Sequence, residues 1–284
     1  MKGDLAGFEL ASVTSVRQAC ERLEAGYRPL AGGTDVMVLL GSGKLGPRRW
    51  VDVSPLDELR GIDVRPDAIV LGALTTYTDV RRHRVASAEL PMLAQAAKET
   101  GGIAIQNRGT LGGNLANASP AADSPPALLA YGAEIELVST QGSRRVPYAA
   151  FHTGYKQTAA APHELIARIF VPRAPRSHFY RKVGPRRAQA ISKVCFAGCV
   201  ERAGEPPDAA VVAIRIALGG VAPVPLRADE VERALLAGEP RARVLAALDA
   251  AIAPIDDVRS SARYRRRVAA NLLGEFLRHA GLAS

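Results

Sequence analysis

Residues 110–126 read TLGGNLANASPAADSPP. The segment has no long charged side chain, almost no bulky apolar group, paired glycines, two asparagines and three prolines, although 23% of the chain is charged. Such a stretch offers its neighbours backbone rather than side chains. Glycines allow close approach to the peptide groups. The prolines stiffen the second half of the segment and lower the entropy lost on ordering it.

A second glycine-bearing turn, AGGTD at residues 31–35, lies between strand-like Tyr27–Leu30 and VMVLLGSG, which suits one or two helical turns. A helix opening at Thr34 would aim its positive end at an anion. The plainer alternative is a tight turn with a Thr or Asp cap. TLGGN makes a similar offer: a hydroxyl from Thr110, consecutive backbone donors over Leu111–Asn114, and an Asn114 amide able to bond both ways. Two neutral glycine loops without a shared lysine suit backbone recognition of a diphosphate, where each charge-assisted hydrogen bond contributes roughly 1.5–3 kcal/mol. Asp123 then suits either a ribose hydroxyl or the cap of a helix starting near Ser124. A literal G-x-G-x-x-G also occurs, GSGKLG at Gly41–Gly46. Pro47 and strand-like RRWVDV come after it where a dinucleotide fingerprint needs a helix, so it reads as a turn.

At 284 residues the chain suits two domains better than one core. Its net charge of +9 raises the question of nucleic acid, but aromatics are only 5% and the arginines are interleaved with acids, which argues against a base-stacking surface. The run Arg263–Arg267 suits a solvent-facing helix or a docking surface for acidic partners. Cys20, Cys195 and Cys199 are too few for a disulfide framework or a four-ligand metal site, and CFAGC reads as buried strand. The five histidines lack metal spacing, and no serine or cysteine has a nucleophile setting, so neither catalytic nor metal-ligating residues are expected. No signal core and no apolar run of about 18 residues occurs, which points to a cytoplasmic protein with no membrane span.

Periodicity predicts a helix over Ser15–Ala25 with Thr14 as its cap, and strands at WVDVS, Ile62–Val64, AIVLGAL, Ile135–Ser139, Arg144–Pro147 and Ile166–Val171. Leu90–Ala97 suits a short helix. VPRAPR, residues 171–176, suits a boundary. Beyond it come strands at Ile191–Val200 and Ala209–Leu218, separated by RAGEPPD, then helices at Ala228–Leu236, Ala242–Ile252 and Ser260–Ala280. Strands and then helices in succession indicate an α+β class.

Taken together, AGGTD, NRGTLGGNLANASPAADSPPALLAYGAEIEL, FYRKVGPRRAQAISKV, LGGVAPVPLRA and IAPIDDVRSSARYRRRVAANLL resemble, in order, the FAD-binding medium subunits of the molybdenum hydroxylases, the xanthine dehydrogenase and carbon monoxide dehydrogenase family. The resemblance implies a two-subdomain, PCMH-type FAD-binding domain over residues 1–174 (about 1–55 and 56–174). A C-terminal flavoprotein domain of antiparallel strands and helices would occupy 175–284. It further implies that Pro29, Leu30, Ala31, Gly32, Gly33, Thr34, Asp35 and Val36, with Thr110, Leu111, Gly112, Gly113 and Asn114, embrace the FAD diphosphate. Asp123 would contact the adenosine ribose, Ile166 would pack near the flavin, and Lys182 would reach FAD from the second domain. In such complexes a large molybdopterin subunit oxidises the substrate, and a small subunit with two [2Fe-2S] clusters relays electrons. The flavin passes them to NAD or another acceptor. The alternatives are a self-sufficient FAD-dependent reductase on the same fold and a non-catalytic nucleotide-binding module.

Overall fold

The computed structural model describes residues 7–187, 189–204 and 210–282; the end of the RAGEPPD connection and the first residue of the strand expected over Ala209–Leu218, together 205–209, lie outside them, as do residues 1–6. β1 (Glu9–Ser12), α1 (Val16–Glu24), β2 (Arg28–Leu30), α2 (Thr34–Gly41) and β3 (Arg49–Asp52) come first, and their strands pair in parallel in the order β1-β3-β2. α1 buries Ala19, Cys20 and Leu23 on one face. Its cap is Ser15 rather than the expected Thr14: Ser15 Oγ accepts the Gln18 N–H, while Thr14 bonds the Gln18 side chain. GSGKLG is the turn that ends α2.

β4 (Ile62–Val64) and β5 (Ala68–Gly72) then lead into α3 (Tyr77–Arg82), α4 (Arg84–Glu89), α5 (Pro91–Glu99), α6 (Ile103–Arg108), α7 (Leu111–Asn117) and α8 (Ser124–Tyr131). The chain returns through β6 (Glu134–Ser139), β7 (Gly142–Pro147), the small hairpin β8 (His152–Gly154) and β9 (Gln157–Thr158), and β10 (Leu165–Pro172). Five of these strands form an antiparallel sheet in the order β4-β5-β10-β6-β7.

The glycine segment, expected to be a loop, is helical as α7. Each glycine costs a helix interior about 1 kcal/mol against alanine. Offsetting this, Thr110 Oγ accepts the Gly113 N–H at 3.1 Å, and Leu111 and Leu115, four residues apart, are both fully buried. Every residue of α8 is buried, because the helix is wedged between the five-stranded sheet and the C-terminal sheet. That position, rather than ligand recognition, accounts for the missing charge in SPPALLAY.

The C-terminal part contains β11 (Ser177–Val183), β12 (Val194–Ala203), β13 (Ala210–Gly219) and β14 (Leu226–Arg227), an antiparallel sheet in that order, then α9 (Asp229–Leu236), α10 (Arg241–Ala251) and α11 (Ala262–His279). Alternation along β12 supplies two cores. Cys195, Ala197 and Cys199 join the core around α8, whereas Val194, Phe196 and Val200 join the one formed with α9–α11. All three cysteines are free and buried, and CFAGC is strand. The arginine run of α11 is not uniformly solvated: Arg265 is buried and donates to Lys193 O, Gly220 O and Asp257. No helix among the described residues is long and apolar enough to cross a membrane.

Candidate functional site

The two glycine-bearing turns meet. A methyl group on Gly32 would lie 1.8 Å from the carbonyl oxygen of Arg108, so the turn after β2 rests directly on the one before α7. The second turn is anchored to the β5–α3 connection, where the Leu111 N–H donates to Thr75 O at 2.9 Å and the Gly112 N–H to Ala73 O at 2.8 Å. Beside this junction opens a cleft of about 430 Å³, within the range of cofactor pockets. Its lining includes Pro29, Ala31, Gly32, Gly33, Thr34, Asp35 and Val36 from one turn, Thr110, Gly112, Gly113 and Asn114 from the other, and Ile166 at the start of β10.

The donors facing it differ from the sequence expectation. The N–H groups of Leu111, Gly112, Gly113 and Asn114 already have acceptors within the protein: Thr75 O, Ala73 O, Thr110 Oγ and Thr110 O. They are spent on building the turn. At α2 the position is reversed. Gly33, at φ 75°, precedes the helix without a side-chain cap, and the N–H groups of Thr34, Asp35 and Val36 have no acceptor among the described residues. Three orphan donors at a helix start suit an anionic oxygen cluster. A methyl on Gly33 would meet nothing closer than Leu30 at 3.9 Å, so this backbone is open to a ligand. From the α7 side come side chains: the Thr110 hydroxyl, and Asn114, whose Oδ1 accepts from Ser124 at 2.6 Å.

Four expected residues do not line the cleft. Leu111 is fully buried in the core, and Leu30 gives its carbonyl to the Val53 N–H. Asp123 and Lys182 face each other. Lys182 Nζ lies 2.6 Å from Asp123 Oδ2, with side chains 6% and 9% exposed, and Ser192 donates to the other carboxylate oxygen at 2.6 Å. Asp123 therefore does not cap α8 through its side chain. Burial pushes its carboxyl above the ordinary range, and the Lys182 ammonium and Ser192 hydroxyl oppose that.

Sequence reading missed part of the lining, to which Trp50, Tyr77, Asn117 and Glu164 also belong. Glu164 is held by Arg144 through two hydrogen bonds of 2.6 and 2.8 Å and accepts the Ala161 N–H at 2.8 Å. This bidentate clasp draws residues 159–164 against the cleft and lowers the Glu164 carboxyl below its usual range, chiefly through the Arg144 hydrogen bond. Only Asn117 carried a signal, as part of the same NLAN segment. Among the described residues no cluster could hold a metal ion.

Residues 6–174 match the family described as FAD binding domain in molybdopterin dehydrogenase, and residues 179–280 match the carbon monoxide dehydrogenase flavoprotein C-terminal domain. The chain is 31% identical over 267 residues to the glyceraldehyde dehydrogenase medium chain of Sulfolobus acidocaldarius, covering 92% of this chain and 94% of that one. It is 34% identical over 209 residues to the xanthine dehydrogenase FAD-binding subunit of Escherichia coli O157:H7, covering 72% and 70%. Among solved structures, carbon monoxide dehydrogenase from Hydrogenophaga pseudoflava, in a form lacking the Mo-pyranopterin moiety of its molybdenum cofactor, superposes with a TM-score of 0.89. Identity there is 31% over 97% of this chain and 98% of that one.

Proposed function

We propose that this chain, which belongs to the FAD-binding family of the molybdopterin dehydrogenases, carries FAD in the cleft between its two glycine turns and serves as the electron-transfer subunit of a molybdenum hydroxylase in the cytoplasm. The observation that carries the cleft assignment is that the unpaired amides at the start of α2 belong to residues lining it. Thr34, Asp35 and Val36 would donate backbone N–H groups to the diphosphate, with Thr110 and Asn114 adding side-chain bonds across the junction. Ile166 and Trp50 would offer apolar surface to the ring system. The FAD-binding domain spans residues 1–174 in this reading and the C-terminal domain 175–284. Asp123 and Lys182 join the two.

Bound FAD supplies the exchange between single electrons and electron pairs. The chain's own part is to hold the cofactor between the [2Fe-2S] clusters of a small partner subunit and NAD or another acceptor, while a large molybdopterin subunit oxidises the substrate. The cleft needs no acid or base of its own for that task. The relatives' names differ in substrate, glyceraldehyde in one and xanthine in another, which suits a chain that does not itself select the substrate.

The test is to purify the native complex and assay bound FAD, molybdenum and iron. The expected result is one FAD on this chain, with the metals on co-purifying subunits. A lone, metal-free protein with full dehydrogenase turnover would overturn the assignment.

A further inference from the structure

The cleft lining carries Asp35, a carboxylate in the first turn of α2, where a dianionic ligand is to be received. Its nearest side-chain partner is Asn117, the last residue of α7: Asn117 Nδ2 donates to Asp35 Oδ1 at 2.9 Å. This bond is a second link between the two glycine-bearing elements, beside the Gly32–Arg108 contact. Asn117 is in turn fixed from the β8–β9 hairpin. Lys156 Nζ donates to Asn117 Oδ1 at 2.8 Å and to Asn117 O at 2.7 Å. An ammonium can only donate, so it holds the amide oxygen of Asn117 on its own side and leaves the NH₂ for Asp35; Lys156 thus sets which way Asn117 points.

Two further features agree. Lys156 sits at φ 58°, in the left-handed region that disfavours residues with a Cβ, although Gly154 stands two positions away in the same hairpin. The Asp35 carboxylate also acts on the Lys156 ammonium, opposing the downward pull of its desolvation. The relay thus brings a cation to the Asp35 carboxylate at one remove, through Asn117, whereas Arg144 pairs with Glu164 directly.

We infer that Lys156 is a positioning residue for the diphosphate of the cofactor: through Asn117 and Asp35 it fixes the start of α2 against the end of α7 and offsets the Asp35 charge. This rests on the FAD reading above. The residue touches no ligand itself.

The test uses the full chain stripped of flavin, with Lys156→Gln, Lys156→Gly and Lys156→Arg. Titration with FAD, ADP and riboflavin should show Gln and Gly weakening FAD and ADP by about tenfold, the lower end for loss of charged hydrogen bonds. Riboflavin affinity should be unchanged, the ligand-free melting temperature should not fall, and Arg should restore binding. The Gly variant removes the left-handed strain, so a loss common to Gln and Gly belongs to the ammonium. Hydrogen exchange without ligand should speed up at the α2 and α7 amides in Gln and Gly. If wild type binds FAD and ADP and the variants match it, the inference fails and the FAD reading stands. If wild type binds neither, the FAD reading fails, and unchanged exchange in the variants would then dismiss the relay as well. An equal loss for all three ligands with a lowered melting temperature would reduce Lys156 to a general support of the fold and also overturn the inference.

Discussion

Lys182, on β11, reaches across to Asp123, at the entry to α8, and the two close a buried ion pair 2.6 Å long between the two parts of the chain. Its surroundings complete the satisfaction of both groups. Lys182 Nζ also donates to Glu99 O at 2.9 Å, Ser192 serves the second carboxylate oxygen, and the Tyr180 hydroxyl donates to Asp123 O. Removing one member of such a pair leaves a buried charge unmet, which typically costs about 3–5 kcal/mol, whereas replacing both with apolar groups is often close to neutral. Lys182→Met alone should therefore destabilise the chain by about 3–5 kcal/mol in urea unfolding, and Asp123→Leu with Lys182→Met should recover most of that loss. Additive effects of Asp123→Leu and Lys182→Met would show that the pair is not a structural latch.

The contact between the glycine turns sets a second expectation. All three nearest neighbours of a Cβ at position 32 are backbone atoms of Arg108 and Gly109, so no side chain can rotate aside. Gly32→Ala must push the turns apart. FAD retention on gel filtration should fall by at least about tenfold, an energy of roughly 1.4 kcal/mol. Gly41→Ala, where a methyl meets nothing within 4 Å, serves as control and should keep its flavin. Equal flavin content in the two variants would show that the junction does not shape the site.

Much of this was legible in the sequence, and the reasons differ by residue. β12 was visible because its first seven residues are a continuous apolar run, as in strands buried on both faces, and β13 because it is apolar apart from Arg215. The glycine pairs pointed to a junction. Which amides remain free could not be read, since it depends on the β5–α3 connection, distant in sequence, supplying Thr75 O and Ala73 O to the α7 turn. Local pattern gave Asp123 two roles, ribose contact or helix cap; the fold shows that its side chain does not cap α8 and adds an ion pair with Lys182. Its partners Lys182 and Ser192 come from the other part of the chain, and long-range ion pairs leave no periodic trace.

Arg265 and Arg267 stand two residues apart in the same basic run with opposite expected consequences. Arg265 ties α11 to the residue before β12 and the residue after β13, donating to Lys193 O at 3.0 Å and Gly220 O at 2.8 Å, and it meets Asp257 at 2.7 Å. Asp257 keeps the Arg259 and Ser260 N–H donors, so the loss on Arg265→Met should fall at the low end for a broken buried pair, about 3 kcal/mol. Arg267 is exposed, and Arg267→Met should stay within about 0.5 kcal/mol of wild type. Thermal unfolding of the two variants decides the matter. Equal losses would contradict the assignment of Arg265 as the only internal member of the two.

His152 makes stability depend on pH in a direction that can be worked out. It is buried, its Nε2 lies 2.9 Å from Leu115 O, and its Nδ1 has no partner among the described residues. The bond to a carbonyl requires the proton on Nε2, and the Tyr148 and Phe151 rings pack beside the imidazole. Burial lowers its proton affinity below the ordinary value of 6.5, against a smaller opposing pull from the Leu115 bond. Between the lowered value and 6.5 the unfolded chain binds more protons than the native one, so stability rises with pH across that window. The contribution is fully present above 6.5 and is lost as pH falls. His178, lowered by burial and by nearby Arg176, adds in the same direction. The melting temperature of the ligand-free chain should therefore drop as pH is taken from about 7.5 to about 5.5, the span across which an ordinary imidazole titrates. His152→Gln, which can still donate to Leu115 O but cannot titrate, should show a flatter profile than wild type. Parallel profiles would mean that His152 protonates as readily in the native chain as in the unfolded one.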